Sequence, residues 1–229
     1  MDALVALAPD VWQLPLQPRS GLNAYLVGDV LIDAGWPWSL GRLLAALEGR
    51  RVSAHLLTHA HPDHQGASAA LCAARQVPLW CGAADRDVAE TAAFASPWRG
   101  PRRRLFQLAE RIGVPGHRVD RTLREGDAVA GFEVIATPGH TPGHLSLWRP
   151  ADGVVILGDV VAHHPPPSLS PGLREPAPRV TLDPLQNRRS IRKIAALHPS
   201  LVCFGHGPPL ANGERFLRWA EGLGSTERA

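Results

Sequence analysis

The chain is short of several residue types that would otherwise suggest a chemistry. Its 229 residues include three cysteines, Cys72, Cys81 and Cys203, with no CxxC spacing. An odd, scattered set argues against a disulfide framework and reads as small buried hydrophobes. Lysine occurs once, at Lys193, so the 24 basic residues are almost all arginine, and the net charge is only +3. That balance does not make the chain a nucleic-acid binder, and no nucleic-acid-binding module is visible. No apolar run approaches the roughly 20 residues that span a bilayer. The start, Met1-Asp2-Ala3-Leu4-Val5, has neither a basic segment nor a long apolar stretch, so no export signal is read and a cytoplasmic location is expected. Gly28 and Gly35 do not form the glycine-rich phosphate loop that an open Rossmann sheet requires after its first strand. No serine or cysteine stands in a nucleophile-elbow motif.

What is present is an ordinary apolar content of 45%, enough for a sizeable core. Strand and helix signals alternate. Strands are expected at 11–16, 24–27, 30–33, 52–58, 77–81, 121–123, 132–136, 144–148, 154–157 and 201–204. Helices are expected at 39–47 with Ser39 as cap, 66–75, 184–197 capped by Asp183, and 213–222. The stretch from about 83 to 118 is mainly helical in pattern, a helical insertion broken at Pro97, Gly100 and Pro101. Seven prolines between His163 and Pro184 exclude a helix or central strand there and predict a long ordered loop over about 163–184. Without repeats or linkers, residues 1–229 read as one domain. Two strand-then-helix halves suit two sheets packed face to face with helices outside, an αββα four-layer sandwich of the α/β class.

The most informative segment is Thr58-His59-Ala60-His61-Pro62-Asp63-His64. It holds three imidazoles and a carboxylate within six positions. His59 and His61, two apart, can aim the same way on an extended segment. Pro62 stops His61 from being helical, so Asp63 and His64 lie on the turn into the next helix. The two pairs can thus face two neighbouring points. His140, Asp159 and His206 each follow a predicted strand, and glycines beside them allow close backbone approach. Five histidines and two aspartates match the nitrogen and carboxylate donors that two zinc-like divalent ions take. The expected assignment puts His59, His61 and His140 on a first ion and Asp63, His64 and His206 on a second, with Asp159 bridging. Two such cations lower the pKa of water toward neutrality and polarise a substrate carbonyl. Asp63 and Asp159 are the expected catalytic pair: Asp63 to relay a proton, Asp159 to bridge.

These residues resemble the metallo-β-lactamase superfamily. His59-Ala60-His61-Pro62-Asp63-His64 matches its His-x-His-x-Asp-His pattern. Pro138-Gly139-His140, Gly158-Asp159 and Gly205-His206-Gly207 match its later motifs in order, and Leu31-Ile32-Asp33-Ala34-Gly35 resembles its early strand motif. The doubled Thr137-Pro138-Gly139-His140-Thr141-Pro142-Gly143-His144 is similar to the glyoxalase II-like branch of thioesterases. The resemblance implies the αββα metallo-β-lactamase fold and a dinuclear centre, most simply zinc, with manganese or iron as alternatives. It also implies hydrolysis of a small ester, thioester or lactone by a metal-bridging hydroxide. The glutathione-binding helical region of glyoxalase II has no counterpart after His206.

Competing readings stay open. A persulfide dioxygenase-like oxidoreductase would use one iron and leave His64 and His206 without a role. Lactonases of the superfamily often place a tyrosine near the metals, and this chain has only Tyr25. A β-lactamase-like enzyme acting on a cyclic substrate is a further alternative. Asp33 is expected to support a ligand through its outer ring nitrogen. His144 either orients a ligand or packs nearby, and His163 and His164 either line a pocket or lie on an exposed loop. Arg99, Arg102, Arg103 and Arg104 form either a solvated cluster or a patch that steers an anionic small-molecule substrate.

Overall fold

The computed structural model describes residues 4–94, 114–164 and 172–223. The arginine cluster at 99–104 and most of the expected helical insertion lie outside these residues. A seven-stranded sheet runs in chain order: β1 (Val5–Ala8), β2 (Val11–Pro15), β3 (Asn23–Val27), β4 (Val30–Ile32), β5 (Ala54–Leu56), β6 (Leu79–Gly82) and β7 (Arg121–Leu123). Its first four strands are antiparallel and β4 to β7 are parallel. The five-stranded sheet contains β8 (Ala128–Val129), β9 (Phe132–Ala136), β10 (Leu145–Arg149), β11 (Val154–Ile156) and β14 (Leu201–Cys203), in the order β14-β11-β10-β9-β8. A pair, β12 (Ala162–His164) and β13 (Gly172–Arg174), stands apart.

Alternation along the strands builds the layers. On β10, Leu145 and Leu147 face the opposite sheet while Trp148 faces outward, as period-two side chains must. The space between the sheets is filled by Val11, Tyr25, Val27, Ile32 and Leu56 from one side and Phe132, Val134, Leu147, Val154 and Ile156 from the other. Outside the large sheet, Leu14, Leu26 and Leu31 pack on Leu43 of α1 (Leu40–Ala46) and Leu71 of α3 (Ser68–Arg75). Outside the smaller sheet, Ile135, Val155 and Val202 pack on Ile191 and Ile194 of α5 (Pro184–Ala195) and Phe216 of α6 (Gly213–Glu221). Helix, sheet, sheet, helix is the four-layer order expected from the sequence, and each amphipathic element buries its one apolar face.

Local differences have local causes. Ser39 does not cap α1 with its side chain. It ends a 3-10 turn, Pro37–Ser39, that runs into the helix with Ser39 already helical. The expected helix at 66–75 is preceded by a separate turn, α2 (Pro62–Gln65). A Cβ at Gly66 would collide with Pro37 and with the Gly35 and Pro62 carbonyls, so the chain is closely covered at this junction. Asp183 does cap α5, accepting from Gln186 N at 2.9 Å, with Pro184 in the first turn where its missing N–H costs nothing. In the region expected to be a helical insertion, Ala83–Asp85 is a 3-10 turn and α4 (Arg86–Thr91) is a short helix. The expected loop at 163–184 contains two short strands. Gly172-Leu173-Arg174 lies between prolines, keeps its N–H groups, and pairs with Ala162-His163-His164. No helix among the described residues is long and apolar enough to cross a membrane.

Strand direction places the site. Strands β4, β5 and β6 are parallel, so the residues after them emerge at one edge. Strands β9 and β11 are each antiparallel to β10, and β14 is parallel to β11, so β9, β11 and β14 also end together. The two edges are joined where Asn23 N donates to Gly205 O at 2.9 Å and Asn23 Nδ2 donates to Phe204 O at 3.0 Å and Gly207 O at 2.8 Å.

Candidate metal centre

All seven sequence-selected residues meet at this shared edge. His59 and His61 follow β5, Asp63 and His64 sit on α2, and His140, Asp159 and His206 follow β9, β11 and β14. Their donor atoms fall into three groups, each mutually within 4.8 Å: His59, His61 and His140; Asp63, His64 and His206; and His59, His64 and Asp159. The first two groups are the two ligand triads expected from the sequence, and the third joins them. His59 Nε2 lies 3.1 Å from His61 Nδ1. Asp159 Oδ2 lies 3.2 Å from His206 Nε2 and 3.7 Å from His140 Nε2, and its Oδ1 lies 3.4 Å from His64 Nε2. The Asp159 carboxylate therefore touches both halves. Asp63 Oδ2 is 3.2 Å from His206 Nε2 and 4.0 Å from His64 Nε2.

The outer ring nitrogens are already taken, which turns the inner ones toward the centre. His64 Nδ1 donates to Asp33 Oδ2 at 2.9 Å. The same oxygen accepts from Thr58 Oγ1 at 2.8 Å, and Asp33 Oδ1 accepts from Thr58 N at 2.8 Å. Asp33 reaches these partners from a left-handed backbone, φ 57°, which aspartate tolerates better than most side chains. His59 Nδ1 donates to Thr58 Oγ1 at 3.1 Å, His140 Nδ1 to Thr181 Oγ1 at 3.2 Å, and His206 Nδ1 to Gly21 O at 2.7 Å. Metal-binding imidazoles use this arrangement to fix tautomer and orientation.

The residues fit divalent cations. His64 Nε2, His140 Nε2 and Asp159 Oδ1 are buried and have no hydrogen-bond partner. Buried polar atoms are rarely left so, and all three point into the donor cluster. Burial holds the His59 and His140 imidazoles well below their ordinary pKa, with neighbouring imidazoles adding to the effect, and burial also lowers His61. Three neutral nitrogen donors result, the form in which histidine ligates. In the other half, burial opposes charge, but Asp159, Asp33 and Asp63 outweigh it and push His64 up to about 10. Asp159 and Asp63 likewise raise His206. The carboxylates thus demand positive charge at the place where a cation would supply it.

Two residues act behind the ligands. His144 is a buried spacer: its Nδ1 donates to Thr137 Oγ1 at 2.8 Å and its Nε2 accepts from Asp159 N at 3.0 Å. It holds Asp159 through the backbone and does not point a nitrogen at the centre. Asp85, buried at 1% exposure, was not singled out in the sequence. Its carboxylate accepts from Ala60 N at 3.1 Å, Thr141 Oγ1 at 2.6 Å and Gly143 N at 2.6 Å. One side chain thereby ties the His59–His61 segment to the His140 loop. The available signal was its place just after a predicted strand ending at Cys81. A Cβ at Gly143 would press on Asp85, and one at Gly205 would collide with Asp159 and His64, so both glycines are required by close approach.

The remaining candidates separate. His163 is buried, with Nδ1 on Pro208 O at 2.8 Å and its ring 5.3 Å from Phe204. His164 lines the cleft over the centre. Tyr25 is buried with its hydroxyl on Phe204 O at 2.7 Å and is not among the residues lining the cleft. The three cysteines are buried and free.

Comparison with known proteins agrees with this geometry. Residues 19–206 match the family described as the Metallo-beta-lactamase superfamily. The chain is 30% identical over 223 residues to a probable metallo-hydrolase, YflN, of Bacillus subtilis, covering 89% of this chain and 81% of that one. It is 34% identical over 171 residues to a hydroxyacylglutathione hydrolase of Alkalilimnicola ehrlichii, covering 72% of this chain and 51% of the relative. The crystal structure of TTHA1623 in a di-iron-bound form superposes with a TM-score of 0.67 at 31% identity, over 96% of this chain and 99% of that one. A beta-lactamase domain protein from Burkholderia ambifaria gives a TM-score of 0.70 at 27% identity, over 96% and 75%. With the ligand motif, the sandwich and the match over most of its length in agreement, this chain belongs to the metallo-β-lactamase superfamily of metal-dependent hydrolases.

Proposed function

We propose that the protein is a dinuclear metal hydrolase that cleaves a small ester, thioester or lactone. The observation that carries this reading is the pair of donor triads, His59/His61/His140 and Asp63/His64/His206, sharing the Asp159 carboxylate between them. A mononuclear iron oxygenase has no use for the second triad. Zinc suits a mixed histidine and carboxylate set, and the di-iron form of a similar protein keeps iron among the metals to test. Bound at these donors, the ions would supply Lewis acidity and a nucleophile from water near neutral pH.

The chain's own residues do the rest. Asp159 spans both triads and keeps them in register, and His144 holds its backbone. Asp63, at the mouth with a side-chain exposure of 24%, can take a proton from the attacking water and pass it to the leaving group. A cleft of about 730 Å³ opens directly over His61, Asp63, His140, Asp159 and His206, within the usual size of small-molecule sites.

Among substrates, a thioester is favoured by the likeness to a hydroxyacylglutathione hydrolase. A tyrosine-assisted lactonase is disfavoured because Tyr25 is locked in the core. The test is metal analysis after reconstitution, followed by a panel of thioester, lactone, β-lactam and phosphodiester substrates with and without chelator. The expected result is two equivalents of metal and chelator-sensitive thioester or ester hydrolysis. One iron per chain, with oxygen consumed on a persulfide, overturns the reading.

A further inference from the structure

Asn23 opens β3 and stands where the two sheets meet. Its backbone N–H donates to Gly205 O at 2.9 Å. Its side-chain Nδ2 donates to Phe204 O at 3.0 Å, Gly207 O at 2.8 Å and Ser20 O at 3.3 Å. Its Oδ1 accepts from Gln13 Nε2 at 2.8 Å, and the same Nε2 donates to Ser20 Oγ at 3.2 Å. Three carbonyls around Nδ2 and an amide donor at Oδ1 leave a single satisfactory orientation for this side chain. Gln13 and Asn23 are both buried, so the pair is a fixed polar cluster and not a solvated one.

The cluster ends on a metal donor. His206 Nδ1 donates to Gly21 O at 2.7 Å, and Gly21 follows the turn Pro18–Ser20. Arg19 and Ser20 are both left-handed, each with φ 56°. Two such residues in succession without glycine are costly and persist only where the surroundings hold them. Here the holders are Gly207 N, which donates to Ser20 O at 2.7 Å, Asn23 Nδ2 on the same oxygen, and Gln13 Nε2 on the hydroxyl. On the other side of His206, Asn23 holds Phe204 O and Gly207 O. Phe204 O keeps Tyr25 Oη as a second donor at 2.7 Å, so losing the Asn23 amide falls chiefly on Gly207 O, one residue past His206.

The supports of the donors differ in kind. The charged Asp33 carboxylate grips His64 at 2.9 Å. A neutral carbonyl orients His206, so that imidazole is only as fixed as the turn presenting Gly21 O. In the first triad His59 rests on Thr58 Oγ1 and His140 on Thr181 Oγ1. Among the described residues, the side-chain hydrogen bonds of Gln13 and Asn23 reach neither support.

We propose that Asn23, oriented by Gln13, is the positioning residue for His206, and that it sets the affinity of the Asp63/His64/His206 donors without setting that of His59, His61 and His140. This rests on the two-ion reading above and adds what decides whether the second ion stays: a polar clasp between the sheets, built on a turn that carries no metal donor.

Zinc titration calorimetry of the full chain, stripped of metal by chelator, tests it. The wild type is expected to bind in two steps, and His206→Ala identifies the step that belongs to the second triad. In Asn23→Ala that step weakens by about 10–100-fold, as for loss of an outer partner, while the other stays near its wild-type value. Gln13→Ala leaves the Asn23 amide in place but frees it to turn, and gives a smaller loss at the same step. Val27→Ala, which opens a cavity between the sheets, lowers the Tm but leaves the ratio of the two steps unchanged, separating positioning from general loosening. Equal weakening of both steps, or an unchanged ratio in Asn23→Ala, overturns the inference. Should Asn23→Ala not fold, an unchanged ratio in Gln13→Ala overturns it instead. Two-step uptake without hydrolysis of any ester or thioester sinks the hydrolase reading and leaves this one standing; a single step in the wild type overturns both.

Discussion

Thr141 Oγ1 donates to Asp85 Oδ2 over 2.6 Å, one residue past the candidate ligand His140, while the same oxygen accepts from Ala60 N between His59 and His61. Three donor residues from two segments of the chain are thus referred to one buried carboxylate. Asp85→Asn replaces an acceptor-only group with one that must present an NH₂ to a donor. Hydrogen bonds to charged groups are worth about 1.5–3 kcal/mol each, and an unsatisfied buried partner adds to the loss. A destabilisation of about 3 kcal/mol is expected, visible as a drop of roughly 10 °C in the Tm of the apo protein, with weaker zinc retention against a chelator. An unchanged Tm and unchanged zinc retention would remove Asp85 from this role.

Asp33 orients His64 through Nδ1 and holds Thr58 by two further hydrogen bonds. Asp33→Asn leaves the shape but removes the charge that fixes the His64 tautomer. Loss of such an outer partner costs about 10–100-fold in metal affinity. Competition with a zinc-responsive dye should show the larger weakening at the site of His64, which Asp33 contacts directly, and a smaller one at the site of His59, which it reaches only through Thr58 Oγ1.

The Asp159 carboxylate is expected to be irreplaceable. Asp159→Ala removes the group shared by the two triads, and hydrolysis falls by orders of magnitude with lower metal occupancy. Gly205→Ala tests the same point without touching a ligand, since the added methyl would occupy the space of Asp159 Oδ1. Metal content should fall in both variants. Full occupancy and normal turnover in a metal-replete Asp159→Ala protein would sink the dinuclear mechanism.

Buried His55 makes stability depend on pH independently of the metal. Its ring bonds Leu31 O at 3.1 Å and Ser68 Oγ at 2.8 Å, and burial lowers its pKa from 6.5 to about 4. The unfolded chain binds a proton in this window and the folded chain does not. Stability is therefore complete above pH 6.5 and declines as pH falls toward 4, by about 1.4 kcal/mol per unit for this group. Below that both states are protonated and its contribution levels off. Urea midpoints of metal-free protein across this range should show the slope, and His55→Gln should reduce it by this one group's share while lowering stability at pH 7. An identical slope in the variant assigns the effect elsewhere.

Much of the framework was legible because it rests on local rules. Strands at 121–123 and 132–136 follow from alternation and turn residues, and the start of α5 follows from Asp183 and Pro184. The dense His59–His64 segment pointed to the donor cluster because few folds place three imidazoles and a carboxylate so closely for any other purpose. Ser39 misled because a preceding proline turn had already made it helical, and β13 was hidden by the prolines on either side of its three residues. Asp85 escaped because its partners lie 25 to 58 residues away, and a lone aspartate after a strand carries no local mark.

The amino-acid order alone determined which donors exist and that each follows a strand, since periodicity, turn chemistry and the reach of the backbone are properties of neighbouring residues. Only the tertiary structure decided that Asp159 lies between the triads, that Asp85 joins two ligand loops, that His144 serves a backbone N–H, and that Tyr25 does not face the cleft. Those outcomes depend on how two sheets stack and which edges coincide, and contacts across such distances arise from packing the whole chain at once.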